Sequence, residues 1–133
     1  MIPERKIQIC GKDIRMIYCA ATENGYEELS GKSVFCFVPT VTKNDKGEDV
    51  VEPATATSKD YMMLSIAAII AASEQQGVEV PITSKEILYE ATAQEVSQML
   101  LAIVELRNEW YKVPDVAKED EKQATEEEDK PKN

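Results

Sequence analysis

The chain has 133 residues, with 25 acidic side chains against 15 basic ones, a formal net charge of -10 and no histidine. Its length allows one domain with a small core, and its charge excludes nucleic acid and anionic membrane surfaces as partners, since both are bound by setting Lys and Arg against phosphates. The missing histidine removes Ser-His and Cys-His nucleophiles and His-ligated zinc, so no catalytic, cofactor or metal site is expected.

The first element reads as a β-hairpin. Lys6-Ile7-Gln8-Ile9-Cys10 alternates polar and apolar residues, Ile14-Arg15-Met16-Ile17-Tyr18 resumes the alternation, and Gly11-Lys12-Asp13 between them is the expected turn. A short helix is predicted from Ala20 to Gly31, with Asn24 and Glu27 spaced as a capping box and Gly31 placed as the C-cap glycine. Tyr26 and Leu29, three residues apart, are expected to face the hairpin together. Ser33-Val34-Phe35-Cys36-Phe37-Val38 suits a buried strand or an apolar loop over the core. From Pro39 to Pro53 the composition turns polar around Lys43-Asn44-Asp45-Lys46-Gly47, as in a mobile loop or an exposed hairpin.

The second half is helical. Thr57 or Ser58 caps a helix running to Gly77, with Met62, Met63, Ile66, Ile69 and Ile70 on one face and Leu64, Ala67, Ala68, Ala71 and Ala72 on the other. Both faces are apolar, so this helix must be covered on two sides. Its longest apolar stretch, Tyr61 to Ala72, is well below the roughly 20 residues that span a bilayer. Thr83-Ser84-Lys85-Glu86 opens a further short helix through about Ala91, and Thr92-Ala93-Gln94-Glu95 opens the last one. That helix sets Val96, Met99, Leu100, Ile103, Leu106 and Trp110 on one stripe, leaves Leu101 off it, and is stopped by Pro114. The segment 115–133 has 8 acids and 4 bases and reads as a disordered acidic tail; without it 17 acids and 11 bases remain, a body at -6. The expected architecture is α+β: an N-terminal β-hairpin with a short helix, then a small bundle of about three α-helices, forming a single domain over 1–114 with a mobile loop or insertion at 39–56.

Three motifs invite chemistry and are better explained without it. Gly25 to Ser33 ends in the Gly-Lys-Ser of a phosphate-binding loop, but five residues separate Gly25 from Gly31 where that loop has four. Around Gly47 a calcium loop would need an acid where Thr42 stands. Cys10, Cys19 and Cys36 are odd in number with no C-x-x-C pair, as in free thiols of a reducing compartment, and neither Cys19 nor Cys36 has a base nearby in sequence to serve a cysteine enzyme. Met1 to Lys6 runs into alternating residues instead of an apolar segment, so no signal peptide is expected.

One family resemblance follows from these residues. The hairpin Ile7 to Arg15, followed by Gly25-Tyr26-Glu27-Glu28-Leu29-Ser30-Gly31-Lys32-Ser33-Val34, resembles the F-E-E-L-T-G-K-S segment of tail assembly chaperones from long-tailed bacteriophages and prophages, with Tyr26 in place of Phe and Ser30 in place of Thr. The motif positions are Tyr26, Glu27, Glu28, Leu29, Gly31, Lys32 and Ser33. The resemblance implies a protein of the bacterial host cytoplasm, absent from the mature virion, that coats the tape measure protein and helps bring tail tube subunits to it, often alongside a longer frameshifted product. An oligomer of the chain is expected, and the partner-binding surface is placed on Met62, Met63, Ile66, Ile70 and Leu101. A structural component such as a tail completion protein is the alternative.

Overall fold

The computed structural model describes residues 1–112; the tail at 115–133 and the helix stop at Pro114 lie outside the described residues. Strands β1 (Glu4–Ile9) and β2 (Lys12–Ile17) form the expected hairpin, with Ile7 opposite Ile14 and Ile9 opposite Lys12. The turn is Cys10-Gly11 and not Gly11-Lys12-Asp13. Both turn residues have positive φ, 54° and 72°, the two-residue geometry whose twist matches that of the flanking strands. Cys10 is held in this unusual conformation by Glu95, whose carboxylate accepts the Cys10 N–H at 2.9 Å, and Lys12 and Asp13 therefore already belong to β2.

Helix α1 (Ala20–Ser30) begins at Ala20 as expected, but its capping box is not Asn24–Glu27, which lies one turn further on. Cys19 is its cap: Thr22 Oγ1 accepts the Cys19 N–H at 3.2 Å and donates to the carbonyl of Ile17 at 2.9 Å, so the chain leaves β2 directly into the helix. Asn24 is an exposed mid-helix residue. Gly31 ends the helix at φ 71°, as expected. Tyr26 is fully buried, but Leu29 is 48% exposed and does not share its face. The reason is that α1 packs chiefly on the helix that follows, with Gly25 so near Ala67 that a Cβ there would lie 3.5 Å from the alanine methyl.

Val34–Phe37 form a single 3-10 turn, the loop alternative and not a strand. Phe37 enters the core between Tyr26 and Tyr61, at ring-centre distances of 5.0 and 4.8 Å, while Phe35 faces solvent. The polar stretch is an exposed hairpin, β3 (Thr40–Lys43) and β4 (Asp49–Glu52), closed by Asn44, whose side-chain oxygen accepts the N–H groups of Lys46 and Glu48. All its strand residues are exposed, and its base is tied by the Ala56 N–H to the Cys36 carbonyl at 2.9 Å.

Helix α2 (Ser58–Gln76) opens on a Thr57–Asp60 capping box and closes on Gly77 at φ 69°. Its alanine face, with Leu64, is buried against β2 and α1. Ile69 is buried as well, against its expected place on the bulky face, whereas Met62, Met63, Ile66 and Ile70 are only half-buried. Helices α3 (Ser84–Tyr89) and α4 (Ala93–Trp110) open on the expected Thr83–Glu86 and Thr92–Glu95 boxes. Along α4, Met99, Ala102, Ile103 and Leu106 enter the core beside β1 and α2. The core thus lies between the first hairpin, α1, α2 and α4, and Ile82 and Ile87 close one end of it. Full burial of each large apolar side chain contributes about 1.5–3 kcal/mol. No described helix is long and apolar enough to cross a membrane.

Candidate functional site

The seven motif residues divide into two groups. Five of them fasten the end of α1 to the start of α2. Gly31 ends α1, Glu27 accepts the Val34 N–H at 3.1 Å, and Ser33 caps the 3-10 turn by accepting the Phe35 N–H at 3.2 Å. Tyr26 and Lys32 both reach Asp60, a residue that the sequence marks only as the third position of a capped helix. The Tyr26 hydroxyl donates to Asp60 Oδ1 at 3.0 Å, Lys32 Nζ donates to both oxygens at 3.2 and 3.3 Å, and the Thr57 N–H donates to Oδ2 at 2.9 Å.

Asp60 is 2% exposed, yet stays ionised because its donors outweigh the cost of burial. The Thr57 N–H first, with Lys32 and Tyr26, holds its pKa down to about 2. Burial pushes the Tyr26 phenol up, reinforced by Cys36, whose Sγ lies 3.2 Å from the hydroxyl. Both oxygens of Asp60 are occupied by neighbours, which makes it a latch between helices, and Cys36 faces a phenol that holds its proton at neutral pH. The Lys32 of the Gly-Lys-Ser triplet is likewise spent on Asp60. Among the described residues, no three His, Cys, Asp or Glu side chains gather as a metal-binding set.

The other two motif residues, Glu28 and Leu29, point outward and border an apolar groove. Leu29, Met62, Met63, Ile66 and Leu88 line a hollow of about 190 Å³ between α1, α2 and α3, with Lys59 at its edge. It continues across Ile66 into a hollow of about 260 Å³ bounded by Ile70, Val80 and Ile87. Across Leu29 and Ile70 it meets a third, of about 350 Å³, floored by Gly25, Ala67 and Ala71 and walled by Glu28 and Glu74. Met62, Ile66 and Ile70, spaced four apart on α2, form its central ridge.

Four of the five expected surface residues, Met62, Met63, Ile66 and Ile70, therefore meet in one groove. Leu101 does not join them: it is 62% exposed on α4 and lines none of the three hollows. Leu88, 58% exposed, was missed because α3 is too short for a wheel to assign its faces. A larger recess of about 680 Å³ beside β1 is bounded by Arg5 and Arg15, which are engaged with Glu109 and Glu4. The aromatic pair at the end of α4 is also tied down: Trp110 lies 6.4 Å from the Tyr18 ring, and the Tyr111 hydroxyl donates to Glu23, its pKa pushed up to about 12 by burial and by that carboxylate. No family model matches the chain, and neither curated proteins nor solved structures give a significant match.

Proposed function

We propose that the chain is a non-enzymatic tail assembly chaperone that works in the bacterial host cytoplasm, covers apolar helical segments of a phage tape measure protein, and helps recruit tail tube subunits. The groove on α2 is the observation that carries this reading: an α-helical ridge of Met and Ile, flanked by exposed Leu29 and Leu88, is the kind of surface into which an amphipathic helix lays its apolar face. Methionine suits such a surface because its flexible thioether adapts to many partners. The motif Tyr26 to Ser33 adds support from the family resemblance, and two of its residues, Glu28 and Leu29, border that groove.

The test is co-expression with the tape measure protein of the same phage or prophage. The wild-type chain is expected to raise that partner's soluble yield and to co-purify with it, and Met62→Asp with Ile66→Asp to abolish both. Should those half-buried positions unfold the chain when charged, Leu29→Asp with Leu88→Asp carries the same test at more exposed sites. Unchanged solubility and no co-purification would sink the proposal. Presence of the chain in purified virions would favour a structural tail component, such as a tail completion protein, instead.

A further inference from the structure

Among the described residues, strands β3 and β4 pair only with each other, and every residue in them is exposed. A lone two-stranded ribbon is marginal in water, whereas more strands sharing an apolar face are stable. The ladder shows which of its backbone groups are left over. The Asn44 N–H donates to the Glu48 carbonyl at 3.0 Å, and bonded and non-bonded pairs alternate along an antiparallel ladder. Thr42 with Val50 and Thr40 with Glu52 are therefore the bonded pairs. The N–H and C=O groups of Val41 and Lys43 point out of the β3 edge, and those of Asp49 and Val51 out of the β4 edge. The two edges differ in charge. Glu48, Asp49 and Glu52 lie along β4, the kind of charge that keeps an edge from pairing. On β3, Thr40, Val41 and Thr42 are uncharged, and Lys43 is held across the ribbon by Asp49 at 2.9 Å.

We infer that the β3 edge pairs antiparallel with the β3 edge of a second copy, about a two-fold axis at Thr42, to form a four-stranded sheet. In that register Val41 of each copy exchanges both main-chain hydrogen bonds with Lys43 of the other, and Thr42 faces Thr42, a favourable cross-strand pair. Val41 and Val51, 61% and 63% exposed in the single chain, then share one face with their counterparts. Charge and donors select this register. Centring on Lys43 would set two lysines together, and centring on Val41 would engage Pro39, which has no N–H. On β4, the register that uses both Asp49 and Val51 sets Glu48 against Glu52, a like-charge pair. Pairing β3 with the β4 of a next chain would leave a free edge at each end and grow without closing, against the mutual repulsion of chains at -10. The inference is independent of the docking role, but it bears on it. Two α2 grooves in one assembly hold with avidity any partner long enough to reach both.

So small an interface is weak, and sedimentation equilibrium of the full chain at neutral pH is expected to show monomer and dimer with a Kd of about 100 μM. At about 5 μM, as in a melting experiment, the chain is then monomeric. Raising salt from about 50 to about 500 mM should tighten the dimer severalfold, because it screens the repulsion between acidic bodies. Val41→Pro removes the outward N–H of β3 without touching the β3–β4 ladder, and should weaken association about tenfold or more. Thr42→Lys, which sets like charges at the axis, should do the same. Val51→Pro makes the matching change on β4 and should leave the dimer intact. A chain that stays monomeric to about 1 mM, a dimer insensitive to Val41→Pro or lost equally with Val51→Pro, association that weakens with salt, or growth beyond the dimer would each overturn the inference.

Discussion

Asp60 is the residue on which the most distant parts of the sequence converge. Its partners Tyr26 and Lys32 lie 34 and 28 positions away, so the capping signature of Thr57 revealed its helix but not its centrality. Asp60→Ala removes half of a capping box and strands a buried phenol, at an expected cost of about 3 kcal/mol in urea unfolding. Lys32→Ala should cost less than about 1 kcal/mol, because about half of that side chain is already in water. The pH dependence has a definite sign. The folded carboxyl titrates at about 2 and the unfolded one at about 4, so its contribution is fully present above pH 4 and fades as pH falls towards 2. Asp60→Asn should flatten stability across that window while leaving the neutral region lower, and an unchanged acid limb would show that other carboxylates dominate it.

At the level of elements, what the sequence revealed depended on how local the deciding contacts are. The boxes at Thr57–Asp60, Thr83–Glu86 and Thr92–Glu95 close within four residues, and all three helices begin where those residues predict. The start of α1 at Ala20 is as expected, but its capping box was misplaced at Asn24–Glu27, because cysteine seldom caps a helix and because Thr22 draws on Ile17, in the preceding strand. The Cys10-Gly11 turn was missed for a related reason, since its support comes from Glu95, 85 positions away. The β3–β4 hairpin is a different case: its turn was legible in Asn44 to Gly47, but its strands bury nothing. A two-stranded ribbon without a packed face adds little stability. Replacing residues 40–52 with a short Gly-Ser link should therefore shift the melting temperature by less than about 2 °C, because Ala56 and Cys36 still close the base. A larger loss would mean that the ribbon is supported by contacts with another molecule, such as a second copy of the chain.

For the whole molecule, net charge and apolar groove are two halves of one problem, which is how to display a sticky surface in solution without self-association. The sequence disclosed both halves, the charge of -10 and the surplus of apolar helix, but not that Leu29, Leu88 and the α2 ridge would lie together, because that depends on how α1 and α3 flank α2. Charge repulsion should be what keeps the grooves of separate molecules apart at neutral pH. Near the sequence isoelectric point of 4.5 that repulsion vanishes. The latch does not vanish with it, since Asp60 is still ionised well above its pKa of about 2. Light scattering on lowering the pH from 7 to 4.5 should therefore show reversible association of chains that keep their helical circular dichroism. Leu29→Gln with Leu88→Gln should suppress it, because those side chains flank the ridge at exposed positions. Equal association of wild type and variant would place the adhesive surface elsewhere, with Phe35, Leu101 and the valines of the β3–β4 ribbon among the other exposed apolar side chains to substitute.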